Sequence, residues 1–139
     1  MIAAQSLSAS VGGGGVNVSG SFSKDCTVVD VLEIPLPAST TDDPTTIAIP
    51  YATIDAITMQ AYFGPDVASQ ATGNCTLCTN AASGGSPAQT FTLKPNKVTV
   101  WNSDMANTNF ISTNITALYV TNPNAVAGIL KLTLGRNPT

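Results

Sequence analysis

Apolar residues in this chain recur at every second position, in short bursts, and turn-forming residues close each burst. That spacing marks half-buried β-strands, whose side chains alternate between two faces. "CTVVDVLEI" sets Val29, Val31 and Glu33 against Val28, Asp30, Leu32 and Ile34, and "VNVSGSF" puts Val16, Val18 and Phe22 on one face. "TTIAIPY" alternates Ile47, Ile49 and Tyr51, and Pro50 marks an edge strand or a strand end. "TIDAITMQAYF" carries two periodicities. A helix would use Ile54, Ile57 and Ala61; a strand would align Ile57, Met59, Ala61 and Phe63. Thr and aromatic content and the following "GPD" turn favour the strand.

Between these bursts, "PLPASTTDDP" reads as a turn-rich loop, and "NCTLCTN" as a short strand ahead of the flexible "AASGGSP". "QTFTLKPNKVTVW" reads as a hairpin, with Phe91 and Leu93 before a "KPNK" turn and Val98 and Val100 after it. "NSDMANTNFISTN" is the longest polar connection. "ITALYVTNPNAVAGILKLTL" reads as a second hairpin, with Asn122, Pro123 and Asn124 as turn residues. No segment makes a convincing helix. About eight to nine short strands predict an all-β fold, an antiparallel β-sandwich or jelly-roll-like barrel. No repeat of fixed period points to a propeller or solenoid.

At 139 residues the chain predicts one domain. Residues 1–15 read as an N-terminal arm, flexible or ordered by a partner, because Gly12, Gly13, Gly14 and Gly15 cannot hold regular structure alone. Residues 16–139 make the sandwich. Phe91, Trp101, Leu118, Val120, Leu130 and Leu132 are its expected core.

Charged residues are 9% of the chain, against about 25% in an average soluble domain. Yet 43% is apolar, which excludes the disordered class. Ser, Thr, Asn and Gly replace the missing charge. Such a surface is cheap to desolvate and suits packing against copies or partners. Sheet edges with few charges read as contact surfaces. Five basic residues, unclustered, against eight acidic ones make nucleic acid an unsuitable direct partner. No run of about 18 apolar residues exists to span a membrane as a helix. "MIAAQSLSASVGGGG" lacks the basic and apolar regions of a signal peptide. The expectation is a protein made in a host cytoplasm that reaches the outside by assembly.

The chain has no histidine. That removes Ser-His-Asp and Cys-His arrangements and the usual zinc hydrolase sites. Carboxylates that could pair for glycoside hydrolysis are Asp25, Asp30, Glu33, Asp42, Asp43, Asp55, Asp66 and Asp104. Asp42 and Asp43 before Pro44 read first as turn residues. "CTLC" lacks the helix start that activates a redox Cys-x-x-Cys, and in a strand its two thiols face opposite ways. Cys26 and one of Cys75 and Cys78 read as small buried hydrophobes, with a disulfide from Cys26 to either as the next reading. "NSDMANTN" and "TTDDPTT" hold oxygens suited to calcium but match no EF-hand loop. Asn17, Asn74 and Asn114 head glycosylation triplets. No catalytic, cofactor or metal site is expected.

"FTLKPNKVTVWNSDMANTNFISTNITALYVTNPNAVAGILKLTL" resembles the endings of small virion proteins of tailed bacteriophages. In those, a hairpin ending in Trp precedes a polar loop, an "ITALYVTN" strand, a short turn and a final "LKL" strand. The corresponding residues here are Phe91, Leu93, Lys97, Trp101, Leu118, Tyr119, Val120, Asn122, Leu130 and Leu132. The likeness covers roughly 45 of 139 residues and carries no catalytic signature. The N-terminal arm and "GNCTLCTN" depart from it and inherit no role. The resemblance implies a β-sandwich of the capsid exterior or tail. The expected role is a non-enzymatic capsid decoration, or cement, protein located in the virion. Its partners would be the major capsid protein or other virion subunits and its own copies, as a homotrimer. A tail, neck or fibre-attachment subunit is the alternative, and a carbohydrate-binding sandwich the less favoured one.

Overall fold

A computed structural model describes residues 9–13, 16–20, 26, 28–103 and 111–137. Ten strands follow one another: β1 (Ala9–Gly13), β2 (Val16–Gly20), β3 (Val28–Leu36), β4 (Thr40–Ile49), β5 (Ile54–Tyr62), β6 (Cys75–Thr79), β7 (Thr90–Leu93), β8 (Val98–Asn102), β9 (Ile115–Asn122) and β10 (Gly128–Arg136). Single 3-10 turns at Tyr51–Thr53 and Ala68–Gln70 are the only helical pieces among the described residues. The fold is an all-β antiparallel sandwich.

Eight strands build two four-stranded sheets, in the orders β3-β10-β5-β8 and β4-β9-β6-β7. The pairings nest: β3 with β10, β4 with β9, β5 with β8, β6 with β7. The chain thus forms one long antiparallel ribbon, folded over so that alternate strand pairs fall in opposite sheets. β5–β10 and β6–β9 pairing then closes each sheet. This is the jelly-roll order, in which most connections cross between sheets.

The alternation places the core. Ile57, Met59, Ala61 and Phe63 are buried along β5 and just beyond it, and Leu130, Leu132 and Leu134 along β10. Leu118 and Val120 of β9 and Leu77 and Leu93 face them from the second sheet. Each fully buried Leu contributes about 1.5–3 kcal/mol relative to exposure. Of the expected core, Trp101, Leu118, Val120, Leu130 and Leu132 are buried, while Phe91 is only partly buried against the cluster.

Four expectations change. Neither expected hairpin is one: β7 and β8 lie in different sheets, and so do β9 and β10. A hairpin and a crossing arch share the same alternation and the same turn residues, so only tertiary pairing separates them. "TTDDP" is no loop; Asp42, Asp43 and Pro44 lie within β4. Their strand is tolerated because β4 is an edge, where a missing N–H need not pair. Finally, residues 9–13 of the expected arm are not irregular. Gly12 and Gly13 belong to β1, which pairs with β2 in register Val11↔Val18. Cross-strand pairing supplies the order that glycine alone lacks. Gly14 and Gly15 lie outside the described residues.

Candidate assembly surface

An antiparallel sandwich has four sheet edges, and each exposes a row of unpaired backbone groups. Here they are unequal. β7 has four residues and β8 five, and such short edges offer little to a partner. β3 has nine and β4 ten, and they edge the two sheets on the same side of the sandwich.

This long side is guarded at one end. Where β3 turns into β4, the strands carry Glu33, Pro35, Asp42, Asp43 and Pro44. Charges and prolines there oppose further strand pairing. The other end, Val28–Leu32 of β3 and Thr45–Ile49 of β4, has no proline. Its one charge, Asp30, is neutralised by Arg136 Nε of β10 at 2.5 Å. Val31 is 68% exposed on this half of β3.

The sandwich is also open there. A cavity of about 140 Å³ is lined by Asp30, Leu32, Ile47, Ala48, Ile49 and Arg136. A second of about 250 Å³ is lined by Ala48, Ile49, Pro50, Asn114, Ile115 and Thr116. Ala48 and Ile49 line both cavities, which together mark a trough at the end of β4. Tyr51, 41% exposed, follows directly after Pro50, and its N–H is held by Asn114 Oδ1 at 3.1 Å.

Asparagines set the loops around this frame. Asn80 (φ 68°) and Asn96 (φ 59°) hold left-handed backbone, which Asn tolerates better than most residues. The Asn96 N–H donates to Ala61 O at 2.8 Å, and its Oδ1 accepts from the Phe63 N–H at 2.7 Å. That fixes the β7–β8 arch to the end of β5. Asn80 Oδ1 accepts from the Thr116 N–H at 2.7 Å, and its Nδ2 donates to Asn114 O at 2.8 Å. Asn122 and Asn124 are buried. Asn122 Nδ2 donates to the carbonyls of Leu36, Pro37 and Val126, and Asn124 bonds both N–H and C=O of Gly73. The β9–β10 arch is thereby tied to two other connections. In the sequence Asn122 and Asn124 stand out only as turn residues, and no motif singles out Asn80 or Asn96. A signal existed in Asn residues closing strands, but not their partners.

Three of the described carboxylates, Asp30, Asp42 and Asp55, bond other side chains of the frame. Asp42, at φ 50°, accepts from Ser83 N–H at 2.9 Å and Ser83 Oγ–H at 2.7 Å, latching the β6–β7 loop to β4. These two bonds hold its carboxyl below the usual value of 3.8. Asp55 accepts from Asn137 Nδ2. Asp25 and Asp104 lie outside the described residues. Among the described residues no three His, Cys, Asp or Glu side chains converge, and no helix is long and apolar enough to cross a membrane.

Cys75 and Cys78 are buried thiols. Cys75 faces the core beside Asn122 Oδ1, and burial pushes its pKa above the usual 9.0. Cys78 points out of the opposite face, 3.7 Å from Thr90 Oγ1. Cys26 is buried over the other sheet, against Gly135, so the alternative of a disulfide to Cys75 or Cys78 is not realised. Among the described residues, Trp101, Tyr62 and Tyr51 do not form one exposed sugar-stacking face. Trp101 is buried, and the Lys131 ammonium sits 4.0 Å above the Tyr62 ring.

No protein-family model matches the chain, and no curated protein matches it. Among solved structures, it is similar to one described as "Bacillus endospore appendages form a novel family of disulfide-linked pili". The two share 14% identity at a TM-score of 0.41, over 81% of this chain and 88% of that one. That likeness assigns no role to this chain.

Proposed function

We propose that the protein is a non-enzymatic structural subunit of a tailed-phage virion, and within it a capsid decoration protein. The observation that carries the reading is the long β3/β4 side. Over half its length it has no proline and a single charge, Asp30, which is paired with Arg136; it is open to a trough and suited to burial against another protein surface. Three supports accompany it. The resemblance of residues 91–134 to phage virion proteins gives the setting. The absence of histidine removes the commonest catalytic base. The described carboxylates that bond side chains do so to Arg136, Ser83 and Asn137, as parts of the frame.

The test is co-sedimentation of purified protein with particles stripped of it, with copies counted per particle. Rebinding in hundreds of copies supports the shell role. Saturation at tens or fewer moves the protein to the tail or neck. No binding to heads or tails overturns the virion reading.

A further inference from the structure

The hairpin β1–β2 belongs to neither four-stranded sheet. Isolated two-stranded hairpins are marginally stable in water, so this one calls for a partner surface. Residues 1–23 contain no charged side chain, so burying the hairpin strips no ion of its water. β1 and β2 have five residues each, and the unguarded stretch of β3, Val28–Leu32, also has five. β3 keeps unbroken register with β10 along this stretch, whereas β4 shifts register between Thr46 and Ile49. β3 therefore offers the better template for another strand. Its neighbouring trough has room for side chains of the incoming strand.

We infer that the β1–β2 hairpin of one copy adds to the Val28–Leu32 edge of a second copy, extending the β3-β10-β5-β8 sheet across the subunit boundary. The contact is head-to-tail, since hairpin and edge are different surfaces. Such contacts close into rings or run on as filaments. This deepens the reading of the protein as an assembling subunit. It requires no particle, so loss of capsid binding alone would leave it standing.

The test uses full-length chains and light scattering. Val31→Lys with Ala48→Lys places charge on the open edge. Val11→Pro with Val18→Pro removes ladder donors from the hairpin and leaves the edge intact. Val98→Lys, on the 53%-exposed valine of the far edge strand β8, is the control. Wild type and the control are expected at several times the single-chain mass. Each of the other two is expected at the single-chain mass alone, and a one-to-one mixture at twice that mass. The mixed pair cannot grow, because one member lacks the hairpin and the other the edge. Trp101 fluorescence verifies the fold of each variant. In wild type, hydrogen exchange at Val28–Leu32 is expected to speed up tenfold or more on dilution to single chains. A wild-type chain that is single at all concentrations overturns the proposal. So does a mixture that fails to pair, or exchange at Val28–Leu32 that ignores dilution.

Discussion

The asparagine at position 96 shows how this chain manages with so little charge. Its side chain satisfies one backbone N–H, its own N–H satisfies a carbonyl, and its left-handed φ reverses the chain. Asn96→Ala removes the acceptor for Phe63 and strains the backbone, so urea denaturation should show a loss of about 2–4 kcal/mol. Asn96→Gly relieves the strain but not the lost bond, and its midpoint should fall between the two. Asp42 makes a pH-dependent version of the same clasp. Its folded pKa lies below the unfolded value of 3.8. The latch on Ser83 is therefore fully present above pH 3.8 and is lost as pH falls through the lower, folded value. Exchange at the Ser83 amide, corrected for its intrinsic rate, should show an acid step in wild type. Asp42→Asn should abolish that step.

At the scale of the element, strand faces were legible in the sequence because burial imposes a period of two. The strand alternation aligns Ile57, Met59, Ala61 and Phe63, and all four are buried. Which sheet each strand joins was not legible. "KPNK" and "NPNAVAG" would serve a hairpin as well as an arch, and the choice rests on Asn96 and Asn122 reaching residues 33 and about 85 positions away. The long edge was equally hidden, since "DDP" signals a turn locally and becomes an edge guard only once β9 is alongside. Gly128 begins β10 for a reason that also lies outside the strand. A Cβ there would stand 2.6 Å from Tyr62 O and 2.7 Å from the Phe63 ring. Gly128→Ala must push a backbone carbonyl, and thermal or urea unfolding should show a loss of about 1–3 kcal/mol.

For the whole molecule, the nested pairing sets the folding rate. β3 and β10, which pair along their full lengths, are about as far apart in sequence as two strands of the sandwich can be. Non-local sheets of this kind fold in about milliseconds to seconds, because loop closure precedes the contacts that repay it. Stopped-flow refolding followed by Trp101 should fall in that range or slower; a microsecond phase carrying the full amplitude would contradict the nested order. The same tryptophan, 5% exposed, reports on the aromatic surface. Iodide should quench it weakly in the native protein and strongly in urea. Strong native quenching would restore an exposed aromatic face and with it the carbohydrate-binding reading.

The position of β10 has a consequence for how the subunit is made. It is the last sandwich strand to leave the ribosome, yet it sits between β3 and β5 rather than at a margin. Until it arrives, its two neighbours flank an empty lane and the layer they share is split. A nascent chain interrupted before residue 128 therefore lacks the strand that joins β3 to β5. Completion of the layer thus waits on the strand made last, and the fold itself depends on reading the chain through to that point.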